Sequence, residues 1–248
     1  MDVERLGLGG DAGAERARAL DAYWKSRDAL RARARSRDRA IDAVSLLAGR
    51  GISGGRLLDA GCGPGWALEV FARAGFDVVG FDASPFAVEA ARDAGFDART
   101  LEIEAADSER ALRELGEFRA VTALEVLEHL RDPLRALELL GRLVAGPAGA
   151  LVISLPNEIH LAARLGALFG RLPFGGHDDP HLRHFDFRGA RRLIAASGFS
   201  ERGVRWQSLV PPRAKLFRRI LSPLVRLSPG LFAISAAYLL EVPPHGMR

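Results

Sequence analysis

The sequence predicts an α/β fold built on a parallel sheet, and three observations predict it. Short apolar runs alternate with stretches of helical composition between residues 56 and 156. The first run, RLLDA, passes directly into GCGPG, a turn with glycine at every second position. A second run, FDVVGFD, ends on an acid just before a helix start, SPFAVEAARDAG. Strand–helix repetition with short, largely apolar strands is the pattern of a sheet covered by helices on both faces.

Each element can be justified in order. Residues 14–49 have helical composition with no Pro or Gly before Gly49. Leu20, Tyr23, Trp24, Ala40, Ile41, Val44 and Leu47 can share one stripe of that helix. Residues 1–50 are therefore expected to form an N-terminal helical cap, and 51–248 the main domain. Leu57-Leu58 reads as the end of a buried strand, Gly61–Gly65 as a turn and 66–74 as a helix. A strand at 76–82 and a helix at 84–95 follow, with Ser84 as N-cap and Pro85 at the first helical position. Further strands are expected at 98–105, 118–124 and 149–156, with helices at 108–115 and 133–144. Two late strands fall at 198–210 and 231–242. Two insertions interrupt this order, a helical one at about 157–190 and a basic amphipathic one at about 211–230.

The chain has 248 residues, a net charge of +4 and one cysteine, Cys62. One cysteine excludes an intrachain disulfide and fits a reducing compartment, so a cytoplasmic location is expected. The N-terminal stretch lacks a signal-peptide core, and no run approaches the ~20 apolar residues of a membrane span. The modest charge gives no reason to expect nucleic acid. The arginines of 27–39 read as a solvated helix face without interleaved aromatics. The segment KLFRRILSPLVRL, 215–227, is basic and apolar at helical spacing. It suits peripheral contact with an anionic membrane, and equally a pocket cover or a dimer face.

The glycine turn narrows the ligand. A dinucleotide turn has the form G-x-G-x-x-G, whereas here the sixth position is Trp66, and Pro64 removes an N–H that a phosphate would use. A ribose is still expected, because Asp82 ends the second strand and a carboxylate accepts from two ribose hydroxyls. Asp59, just before the turn, can face an ammonium group or hold the turn amides. A nucleoside with a cationic end and no phosphate is S-adenosylmethionine.

The run LLDAGCGPG followed by GFDAS resembles the first two motifs of the class I S-adenosylmethionine-dependent methyltransferases. ALEVLEHLRDP, 123–133, is similar to the segment closing the fourth strand in their small-molecule branch. The resemblance covers about 56–160 and extends more loosely to about 200. It implies a Rossmann-like class I methyltransferase fold, a seven-stranded sheet parallel except for its last strand. It also implies S-adenosyl-L-methionine as cofactor and a small-molecule acceptor. On it, Gly61, Cys62, Gly63 and Gly65 line the methionine part, and Asp82 with Ala83 the ribose. Asp107 is the expected adenine neighbour, and Glu125 lies near the cofactor or the transferred methyl. EIEAADSERAL departs from the acidic-plus-apolar pair that many relatives carry after the third strand.

Acceptor chemistry is expected from HDDPHLRHFDF, 177–187. His177, Asp178, Asp179, His181 and His184 crowd this stretch. A metal site is not expected there. His181 and His184 are the candidates for a catalytic base, because H-x-x-H-F resembles the stretch before the late helix in relatives that methylate hydroxyls. Tyr23 and Trp24 can lid the cofactor. Pro156 and Asn157 end the fifth strand, where ligand crevices open in such sheets. The apolar inserts favour O-methylation of an apolar acceptor. The same inserts also resemble methyltransferase-like proteins of methionine biosynthesis, which act through a partner acyltransferase.

Overall fold

The computed structural model describes residues 12–171, 181–208 and 223–243. Its strands are β1 (Gly55–Ala60), β2 (Phe76–Asp82), β3 (Asp97–Thr100), β4 (Ala120–Leu124), β5 (Ala150–Pro156), β6 (Ser200–Ser208) and β7 (Ala233–Glu241). They form one sheet in the order β3-β2-β1-β4-β5-β7-β6. β7 runs antiparallel to β5 and to β6, and the other pairs are parallel. This is the expected seven-stranded sheet with one reversed strand. The order steps outward in both directions from β1 and β4, and at that reversal the crossovers leave a crevice at the carboxyl ends of the strands.

The helices are α1 (Ala12–Trp24), α2 (Arg27–Gly49), α3 (Trp66–Arg73), α4 (Pro85–Asp93), α5 (Ser108–Glu114), α6 (Pro133–Gly141), α7 (Leu161–Leu168) and α8 (Phe187–Ala196). Local chemistry sets their starts. Ser84 Oγ accepts from Ala87 N at 3.1 Å, Asp132 caps α6 and Asp186 caps α8. β5 is buried at all seven positions, as a central strand covered on both faces must be.

Three expectations change. The single helix over 14–49 is two, because the chain turns at Lys25-Ser26, where Ser26 N donates to Tyr23 O. Only α2 supplies a core stripe. Ala40, Ala43, Leu46 and Leu47 pack with Leu57 and Val152, whereas Ile41 is 52% exposed. The second half of α2 is thus one of the helices covering the sheet. The strand expected at 98–105 ends at Thr100. Leu101 and Ile103 alternate with Glu102 and Glu104, which mimics a strand period, but the chain turns there and Ala105 N donates to Glu102 O.

Of the insertions, α7 lies in the first. His177, Asp178 and Asp179 lie outside the described residues, as does most of 215–227. Residues 223–227 are helical, with Val225 buried in the main core and Leu227 79% exposed. Among the described residues, no helix is long and apolar enough to cross a membrane.

Candidate active site

The turn after β1 is built by its backbone. Gly61, Gly63 and Gly65 have φ of 72°, 51° and 81°, the left-handed region that glycine enters at little cost. They also make room. A Cβ on Gly61 would lie 2.5 Å from Val126 Cγ2, one on Gly63 2.7 Å from the Trp24 ring, and one on Gly65 3.0 Å from Phe96. The turn amides point into β2: Gly61 N and Cys62 N donate to Phe81 O at 2.8 and 3.0 Å. Cys62 Sγ packs inward beneath Gly80, so only the Cys62 backbone can face a ligand.

Asp82 ends β2, 7% exposed. Its Oδ2 accepts from Gly63 N and its Oδ1 from Ser84 N, each at 2.9 Å. Burial pushes its carboxyl up from the usual range, and these two bonds oppose the rise. Each oxygen keeps a second lone pair for a ribose hydroxyl. Ala83 beside it is partly exposed.

Asp59 is 2% exposed and accepts from Thr122 Oγ1 at 2.6 Å. Burial is the main cause that raises its pKa to about 7. The role of holding the turn amides, expected of Asp59, falls to Phe81 O and Asp82. Asp107 is exposed, at the N-cap position of α5 without a cap bond. Two other acids after β3, Glu102 and Glu104, pair with Arg16 at 3.2 and 2.9 Å.

Glu125 follows β4 at φ 56°, alone among the described non-glycine residues in the left-handed region. Its carboxylate pairs with Arg39 of α2 at 2.8 Å and accepts from Ser154 Oγ at 3.0 Å. Backbone strain of this kind persists only where surrounding contacts fix it, and it clusters at functional sites.

Beyond Glu125 the structure assembles a group that sequence spacing does not join. Glu158, 5% exposed, lies between two imidazoles. Its Oε1 meets His181 Nδ1 at 2.7 Å and its Oε2 meets His184 Nδ1 at 2.5 Å. The His181 ring lies edge-on to His129, with centroids 4.9 Å apart. Leu182 N and Arg183 N donate to Glu128 O, which pins the histidine loop to the segment after β4. Glu128 itself is fully buried, and neither carboxylate oxygen has a partner among the described residues. Burial, then the charge of Glu125, holds its carboxyl well above the ordinary value.

Glu128, His129 and His181 each offer one ligand atom, all within 4.8 Å of one another. One carboxylate and two imidazoles can hold a divalent cation. Asn157, by contrast, is structural: its Nδ2 donates to Gly230 O and Ala233 O.

The carboxyl ends of β1 to β3 therefore form the half of the crevice in which a nucleoside is expected, the nucleoside half, and those of β4 and β5 a histidine–carboxylate half. A family model described as "Methyltransferase domain" matches residues 31–201. Among curated relatives, the chain is 40% identical over 148 residues to a ubiquinone biosynthesis O-methyltransferase of Alkalilimnicola ehrlichii, covering 56% of this chain and 58% of that protein. It is 33% identical over 182 residues to a protein of the same name from Ralstonia nicotianae, covering 68% and 72%. The chain spans a little over half the length of the first of these relatives.

Among solved structures, magnesium protoporphyrin IX methyltransferase from Synechocystis PCC 6803 with bound SAH superposes with a TM-score of 0.56 at 19% identity, over 84% of this chain and 83% of that one. A putative methyltransferase of Haloferax volcanii, solved with the Trm112 activator, superposes at 0.61 and 15% identity, over 91% and 98%. These structures share the fold. The family match over more than half its length, on this sheet and this glycine turn, makes the chain a member of the class I S-adenosylmethionine-dependent methyltransferases.

Proposed function

We propose that the protein transfers a methyl group from S-adenosylmethionine to a hydroxyl of a small, apolar acceptor. The observation that carries this reading is the fork of Glu158 between His181 and His184, beside the segment that closes β4. The names of its curated relatives support oxygen as the acceptor atom.

The residues fit the cofactor. Asp82 has lone pairs left for the ribose, the glycine turn offers backbone without side chains, and the buried Trp24 Nε1 lacks a partner among the described residues. The bound cofactor supplies an activated methyl on a sulfonium, so the protein's task is to position the acceptor and take its proton. A carboxylate can only accept, so Glu158 fixes the proton of each imidazole on Nδ1, and the basic Nε2 of His184 is then the atom that takes the acceptor's proton. Proton removal during attack contributes typically about 10²–10⁴-fold. The apolar residues exposed on and beside α7, Leu165, Leu168 and Phe169, suit an acceptor with a hydrophobic body.

The test is an acceptor panel of catechols, phenols and amines, read by S-adenosylhomocysteine release. Turnover restricted to hydroxylated rings supports the reading, and turnover restricted to amines overturns it. Cofactor binding with no turnover, together with a co-purifying acyltransferase, would replace it with the partner-dependent reading.

A further inference from the structure

We propose that α1 is a hinged gate over the cofactor crevice, opening at Lys25-Ser26 to admit and release S-adenosylmethionine. The inference rests on the cofactor reading above. α1 touches the carboxyl ends of four strands. Trp24 lies on Gly63 in the turn after β1 and stacks edge-on to Trp66, with centroids 5.7 Å apart. Asp21 Oδ1 accepts from Ser84 Oγ, and from Phe86 N at 3.3 Å, both just past β2. Arg16 pairs with Glu102 and Glu104 past β3 and donates to His129 O past β4 at 3.0 Å. The first three are the strand ends that bound the nucleoside half of the site, so α1 closes it from outside.

Two features make this wall movable. Among the described residues, α1 contributes none to the three apolar clusters of the core, so moving it uncovers the Trp24–Trp66 ring contact and leaves those clusters covered. Its attachments are chiefly ionic and polar, and the Arg16 pairs are part-exposed, at 25% for Arg16 and 22% and 19% for its partners. Such pairs are weak and screened by salt. The break at Lys25-Ser26 joins α1 to an α2 whose second half is fixed in the core. Gly63 then serves the gate as well as the turn, because any side chain there would hold Trp24 off. The Trp24 Nε1 donor is buried and has no partner among the described residues.

The test separates a gate from a fixed wall. Stopped-flow tryptophan fluorescence gives association and dissociation rates for S-adenosylmethionine in the wild type, Arg16→Ala and Arg16→Lys. A gate predicts that Arg16→Ala raises both rates, by about five- to tenfold, and that Arg16→Lys stays near wild type. It also predicts that salt speeds wild-type association and leaves Arg16→Ala unmoved. Limited trypsinolysis provides a readout free of turnover: cleavage after Arg18 and Lys25 should accelerate in Arg16→Ala and slow in the wild type with cofactor. A rise in dissociation alone, or unchanged rates and an unchanged tryptic pattern, overturns the gate while leaving the cofactor reading intact. Failure of the wild type to bind S-adenosylmethionine in calorimetry overturns both.

Discussion

The two halves of the crevice are built differently. At the ends of β1 and β2, polar groups are matched: the turn amides go to Phe81 O and Asp82, and Asp59 has Thr122. At the ends of β4 and β5, the matching is incomplete. The Glu128 carboxylate has no partner among the described residues, Glu125 sits in strained backbone, and one carboxylate serves two imidazoles. The first half is fixed by its own backbone and receives a ligand that the whole family shares. The second holds the unmet polar groups, and on the proposed function it is the half that meets the acceptor. A shared cofactor permits a rigid site, whereas a reacting acceptor needs groups whose protonation can change.

Damage to the first half should reach the fold itself. Gly61→Ala combines φ strain with a Cβ 2.5 Å from Val126. It should cost about 3 kcal/mol or more in urea unfolding. Adding Val126→Ala should recover the steric part and leave the strain. A Gly61→Ala protein of wild-type stability would break the comparison.

Damage to the second half should reach chemistry first. Glu158→Gln should lower turnover about 100-fold, because the imidazole that takes the proton loses the carboxylate that orients it, with cofactor affinity within about twofold of wild type. An equal loss of affinity would merge the two halves.

Asp82→Ala lies between these cases. It removes the ribose acceptor and the partner of Gly63 N and Ser84 N. Calorimetry should show affinity weakened by about 1–3 kcal/mol, with a lowered melting temperature. Affinity unchanged in a folded variant would sink the ribose assignment.

Asp59 sharpens the contrast through pH. Its pKa rises from 3.8 to about 7 in the folded chain, so the folded chain holds this proton across a window in which the unfolded chain has lost it. Its contribution to stability therefore declines as pH rises from about 4 to about 7. Asp59→Asn should flatten that decline, with a melting temperature about 5 °C above wild type at pH 8. Smallest of all, breaking the surface pair Arg191–Glu201 should cost under about 1 kcal/mol and leave both halves untouched.

Legibility in the sequence divides along the same line. β2 was expected at 76–82 and observed at Phe76–Asp82, because alternation, a terminal acid and a Ser-Pro helix start agree there. The glycine turn was legible for the same reason, being local. Glu158 was not singled out. Its partners lie 23 and 26 residues downstream, and a carboxylate meeting imidazoles across a loop has no period to find. Arg16 reaching Glu102 and Glu104 lies further still, across 86 and 88 residues. The motif ALEVLEH did mark the segment after β4, but burial of a Glu128 carboxylate with no partner among the described residues is a property of packing that residue types alone do not encode.

The sheet order has a consequence for how the protein is made. β7 sits between β5 and β6 and pairs with both along most of its length. It is also the last of the seven strands to be synthesised. Until it emerges from the ribosome, β5 presents an open, largely apolar edge and β6 has no neighbour to join. Unpaired apolar edges of this kind are where nascent chains associate wrongly. The nucleoside half, complete once β4 has emerged, can fold early; the histidine half must wait for the final strand to lock β5 in place.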